Sequence, residues 1–121
     1  MAKIDRGFVV SGLAWLILGM ILGIYMGITN DNRYVTVHVA MLLGGFVVLT
    51  FYGVLYRLWP AMNAGMIPRV QFWLAVLGAV ALVIGAAMIV NNGGVALAAI
   101  GSFSAIGSAI LMGWLFVTRA H

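Results

Sequence analysis

Residues 35–60 read VTVHVAMLLGGFVVLTFYGVLYRLWP. From Val35 to Tyr56 the run is apolar apart from two threonines, one histidine and two tyrosines. That is long enough to cross the hydrocarbon core of a bilayer, which takes about 20 residues of helix. The run has no period-two alternation, and an open sheet cannot satisfy its edges in lipid, so the stretch predicts a helix. His38 stands near its start and Gly44-Gly45 follows one to two turns later. Tyr52, Gly53, Tyr56, Arg57, Trp59 and Pro60 mark its far end.

Outward from this stretch the chain repeats the pattern. Apolar runs cover about residues 8–28, 35–56, 70–90 and 95–117, separated by a polar break at 29–34, a longer connection at 57–69 and a tight Asn91-Asn92-Gly93-Gly94 turn. The prediction is a single four-helix transmembrane domain spanning residues 1–121, an all-α integral membrane protein with an antiparallel arrangement. Composition agrees. The chain has 121 residues, 65% of them hydrophobic and 7% charged, and a mean hydropathy of +1.20. A soluble domain of this size has too much surface for its volume to hide so much apolar area. The charged start, MAKIDR, lacks a small-residue cleavage site, so the first run is expected to be a retained span and not a removed signal peptide.

The net charge of +4 comes from basic residues scattered singly between apolar runs, which is not a nucleic-acid footprint. Their positions report orientation instead. Lys3, Arg6, Arg57, Arg69 and Arg119 fall on one side and Arg33 on the other. The positive-inside rule then predicts cytoplasmic termini and a cytoplasmic 57–69 loop in a multi-pass protein of a bacterial inner membrane. Trp59, Trp73 and Trp114 are expected near the cytoplasmic interface and Tyr34 at the outer one. Trp15 is expected deeper, against a neighbour. Tyr52 and Tyr56, at helical spacing, are expected to anchor at the interface. The absence of cysteine excludes disulfides, iron–sulfur clusters and thiolate ligation.

Small residues recur at helical spacing: Gly19, Gly23 and Gly27 in the first span; Gly78 and Gly85 in the third; Gly101, Ala105, Ala109 and Gly113 in the fourth. Such stripes let helix backbones approach closely, and packing is the main force between helices in lipid. They serve either to hold the four-helix unit together or to join copies of it.

The candidate chemistry rests on His38. An ionisable side chain inside a span is costly and is a functional candidate by default. The bland alternative is a neutral imidazole bonded to a neighbouring carbonyl or hydroxyl. Gly44 and Gly45 leave a depression below His38 in which a flat cofactor could lie, and Arg33 stands one turn above, where it could meet carboxylates. Haem needs such parts: an imidazole for iron, an apolar slot and a basic group for the propionates. No second histidine lies in the membrane, and the methionines of apolar helices are more often filler than ligands. The remaining axial ligand is therefore expected from His38 of another copy.

The segment from His38 through YGVLYRLWPAMNAGMIPRVQFWL (the latter residues 52–74) resembles the second transmembrane helix, and the loop after it, of the catalytic subunit of haem–copper oxidases and nitric oxide reductases. It is also similar to small four-helix membrane proteins related to that subunit, which carry His-x-His, Leu-Leu-Gly and Arg-Leu-x-Pro. Here His38 matches the first histidine and Ala40 stands where the second would be. The resemblance covers residues 33–75 in motif detail. It implies haem b ligated by His38, with Arg33, Gly44 and Gly45 as cofactor-binding residues, in one four-helix unit of an assembly that the large subunit builds from three. The copper-ligand histidines have no counterpart, so oxygen reduction by a single copy is not expected. The expected role is electron transfer or gas sensing by a dimer or trimer in the lipid bilayer, with a larger respiratory complex as a further partner. The alternative is a cofactor-free accessory subunit of such a complex. A small transporter is disfavoured because Asp5 and Asp31 both lie in end segments.

Overall fold

A computed structural model describes residues 2–121. Among these residues every regular element is helical. Four helices, α1 (Ile4–Thr29), α2 (Val35–Leu58), α3 (Ile67–Val90) and α4 (Ala96–Arg119), are long and apolar enough to cross a membrane. At 1.5 Å per residue the 26 residues of α1 extend about 39 Å. The helices run a few residues beyond the apolar segments, and Asp5, Arg57, Arg69 and Arg119 lie in these added end turns.

The boundaries have local causes. Asn30 ends α1 in the left-handed region at φ 53°, a conformation that asparagine tolerates better than most residues. Pro60 opens a short 3-10 turn (Pro60–Met62). Pro68 sits in the first turn of α3, where its missing N–H costs nothing. Helix α2 is not uniform. It is α-helical over Val35–Val39 and Val48–Leu58 but π-helical over Ala40–Val47, the segment that holds Gly44 and Gly45. Stretches of π-helix are rare, and they concentrate at functional sites.

Helix α1 packs mainly along α2, and α3 along α4; α3 also meets the π-helical part of α2. Helix α3 buries Gln71, Ala75, Gly78, Ala79, Gly85 and Ala86 while Leu77, Ile84 and Met88 are exposed. An apolar surface this continuous is the kind that lipid covers and water does not.

The glycine stripes work inside the chain. A methyl group on Gly19 would stand 2.7 Å from Leu42 Cδ2 of α2, and one on Gly101 would stand 2.5 Å from the Leu82 backbone nitrogen of α3. Gly78 and Gly85 lie similarly close to Ser104 and Ala98 of α4. Gly27 and Gly113 meet nothing within 4 Å.

Two clusters form the core. The larger joins Ile4 and Phe8 of α1 to Leu49, Tyr52 and Tyr56 of α2, Phe72 of α3, and Met112 and Leu115 of α4. Phe8 is its hub, edge-on to Tyr52 and Phe72 and stacked on Tyr56. The expected interfacial anchoring of Tyr52 and Tyr56 is thus corrected: they are 7% and 2% exposed. The Tyr56 hydroxyl has its partner inside the chain, which removes the need for an interface. The smaller cluster, around Val37, Val83 and Ala86, lies at the His38 end of α2.

Candidate functional site

His38 occupies the first turns of α2, and its N–H donates to the Tyr34 carbonyl at 2.9 Å. Its ring is seated against α1. A methyl group on Gly23 would lie 3.0 Å from the imidazole Cε1, so glycine at that position is what lets the ring approach the α1 backbone. The Nδ1 atom is fully enclosed and has no hydrogen-bond partner among the described residues. A buried polar atom left unpaired costs about 1–3 kcal/mol, so this nitrogen calls for a partner. The residue as a whole is half-buried.

The other residues singled out by sequence are engaged differently. Gly45 lies on the same seam, and its hollow holds the Trp15 ring: a methyl group there would be 2.5 Å from Trp15 Cγ. Trp15 therefore does pack against a neighbour, as expected. Gly44 faces Leu82 of α3, with 3.2 Å between that leucine's Cδ2 and the place of a methyl group. The depression drawn by the two glycines is filled by side chains of the chain itself. Arg33 forms a two-pronged pair with Asp31, donating from Nε at 3.2 Å and from the terminal nitrogen at 2.9 Å, and its guanidinium lies 5.5 Å from the Tyr34 ring centre. The hydrogen bonds from Arg33 hold the Asp31 carboxyl below its ordinary range, and Asp31 in turn raises Arg33. Thus Arg33 lies near His38 in sequence but has its charge met locally.

The haem requirements can be set against these observations. An imidazole with an unmet nitrogen is present. A macrocycle slot within one chain is not, because Trp15 and Leu82 take the space, and Arg33 is already paired. Among the described residues no three His, Cys, Asp or Glu side chains gather where an ion could be held. A single chain does not fit haem.

A polar chain that the sequence reading overlooked lies at the other end of the molecule. The Tyr56 hydroxyl donates to Gln71 Oε1 at 3.0 Å, Gln71 Nε2 donates to the Ser108 carbonyl at 3.4 Å, and the Ser108 hydroxyl donates to the Ala105 carbonyl at 2.9 Å. Gln71 is fully buried. This chain ties α2, α3 and α4 together in apolar surroundings, where a missing partner is not replaced by water. Its sequence signal was a lone amide, Gln71, two residues past Arg69 at the start of an apolar run.

Charged contacts hold the same end. Arg57 donates to Asp5 at 2.7 Å, joining the start of α1 to the end of α2, and Arg119 donates to the Ala64 carbonyl while lying over Trp114. At the opposite end the Tyr34 hydroxyl meets Asn91 Oδ1 at 3.5 Å.

These features define a class: a small all-helical protein with four helices of membrane-crossing length and one under-satisfied histidine in the second. No protein-family model matches the chain, and neither a curated protein nor a solved structure is found similar to it.

Proposed function

We propose that the chain is a multi-pass protein of a bacterial inner membrane that binds haem b through His38 at a junction between copies of itself, as a dimer or trimer. The observation that carries this reading is the buried, unpartnered Nδ1 of a histidine set inside an apolar span. In this reading Gly23 admits the imidazole to the seam, and His38 would hold the haem iron through its other ring nitrogen, Nε2, because Nδ1 is enclosed. Arg33 offers the donors not used by Asp31 to acidic groups at the same end. A haem held there would supply one-electron transfer or the binding of a diatomic gas.

The proposed topology is antiparallel with cytoplasmic termini. Its support is the Asp5–Arg57 and Arg119–Ala64 contacts at one end, the Tyr34–Asn91 contact at the other, and the excess of Lys and Arg at the first.

A second reading has its own observation. Trp15 in the Gly45 hollow and the local pairing of Arg33 with Asp31 favour a cofactor-free accessory subunit that packs beside a larger respiratory complex. Colour separates the two. Protein purified in mild detergent from haem-sufficient cells is expected to show a Soret band and sharp reduced bands, and His38→Ala is expected to abolish them while leaving a folded oligomer. A colourless wild-type preparation sinks the haem reading and leaves the accessory one.

A further inference from the structure

One groove on the outside of the molecule combines charge with an apolar wall. It lies between the start of α1 and the end of α2 and has a volume of about 400 Å³. Its mouth carries Arg6 and Arg57 together with Asp5, a net charge of one positive (two arginines less one aspartate). Its wall is Val9, Val10, Val54 and Leu58, with Gly53 at the floor. No wall residue carries a polar side chain. Gly53 keeps the floor low, since a methyl group there would strike Val9 and the Asp5 carbonyl.

From this arrangement we infer that the groove binds one anionic phospholipid, its phosphate held by Arg6 and Arg57 and its acyl chain lying along the valine wall. Charge complementarity selects this occupant. The Asp5 carboxylate uses one terminal nitrogen of Arg57, and a guanidinium has five N–H donors, so donors remain for a phosphate. Arg57 is 73% exposed and turns toward the mouth, not the core. A neutral amphiphile would leave the net positive charge of the mouth unmatched. An acidic peptide would find no partner for its backbone on four aliphatic side chains. Basic pockets between membrane helices select anionic headgroups for the same reason. The groove begins at the charged end turns and deepens by about one helical turn, roughly 5 Å, into the apolar span, as a lipid seated at the headgroup level requires.

The inference rests on the chain lying in a bilayer and not on haem, so a colourless protein that prefers anionic lipid would refute only the haem reading. The test presents the full chain, purified in mild detergent, with phosphatidylglycerol or phosphatidylcholine at equal concentration and counts retained lipid by native mass spectrometry. Phosphatidylglycerol is expected to be retained preferentially. Arg6→Gln, which leaves the Asp5–Arg57 pair intact, is expected to weaken it about fivefold, the effect of one basic residue near an anionic lipid. Val54→Phe, which fills the groove without touching charge, is expected to weaken it as well. Equal retention of the two lipids, or retention unaffected by Arg6→Gln, overturns the proposal. Retention unaffected by Val54→Phe, or lost to excess inorganic phosphate, overturns it in favour of a headgroup-only anion site.

Discussion

The two ends of the α1–α2 seam differ in how densely they are packed, although each encloses an unpartnered side-chain atom, Thr50 Oγ1 on the Phe8 side and His38 Nδ1 on the other. Around Phe8 the seam is dense and closed: three aromatic rings touch it, and the buried Tyr56, Gln71 and Ser108 pass hydrogen bonds from helix to helix. Around His38 the seam is thinner. It is held by Gly19 and Gly23 against α2, and an imidazole nitrogen is enclosed there without a partner. The π-helical turn of α2 lies between the two. The first end has what a fold needs to be unique. The second carries a desolvated group whose cost no hydrogen bond among the described residues offsets.

The contrast breaks most readily at the dense end. Phe8→Ala removes the hub ring and should cost about 3 kcal/mol, seen as a lower midpoint of thermal or denaturant unfolding in detergent micelles. A loss below about half a kcal/mol would mean the aromatic cluster is not what secures the helices. Gln71→Leu comes next, at about 1–2 kcal/mol, because it strands the Tyr56 hydroxyl in apolar surroundings. Pairing it with Tyr56→Phe removes both partners and should recover part of the loss. A double variant as unstable as the sum of the singles would show that the two side chains do not act as a pair.

How far this contrast was legible in the sequence depends on what each feature requires. The four spans follow from apolar run length alone, and the structure extends them by a few residues at their polar ends. The corners at Pro60, Pro68 and Asn91–Gly94 carry turn residues that announce themselves. The burial of Tyr52 and Tyr56 was not legible. Tyrosine suits both an interface and a satisfied core, so its presence near a helix end does not say which of the two it serves. Gln71, also near a helix end, was missed for the same reason. His38 was found because a lone imidazole needs no periodicity to stand out. The fate of Gly44 and Gly45 was not legible, since their hollow is visible in one helix whereas Trp15 and Leu82 arrive from two others. The π-helical geometry of Ala40–Val47 leaves no residue signature at all.

At the open end the changes are smaller in stability and larger in chemistry. Gly23→Ala sets a methyl group 3.0 Å from the His38 Cε1, so the ring must give by a few tenths of an ångström. The overpacking cost of about 1–3 kcal/mol is offset in part by the roughly 0.5–1 kcal/mol that alanine gains over glycine inside a helix. The informative readout is the histidine ring itself: its NMR chemical shifts should change while the unfolding midpoint moves less than it does for Phe8→Ala. A midpoint loss as large as that of Phe8→Ala would show that the two ends of the seam are equally tight and would remove the contrast.

The smallest effect belongs to the polar turn above His38. Arg33 depresses the Asp31 carboxyl, chiefly by its side-chain hydrogen bonds. A carboxyl depressed on folding adds stability that is present above its ordinary value of 3.8 and is lost as the pH falls through the lower folded value. The unfolding midpoint should therefore be insensitive to this pair from neutrality down to about pH 5 and decline only in stronger acid. Asp31→Asn should flatten that part of the acid decline, leaving whatever Asp5 contributes. Because both members are open to solvent the difference should be slight and should shrink with added salt. An Asp31→Asn profile that falls as steeply as the wild type below about pH 4 would show that the Asp31–Arg33 pair contributes nothing to holding the turn, and Arg33 would then be free to serve a carboxylate brought to the His38 end.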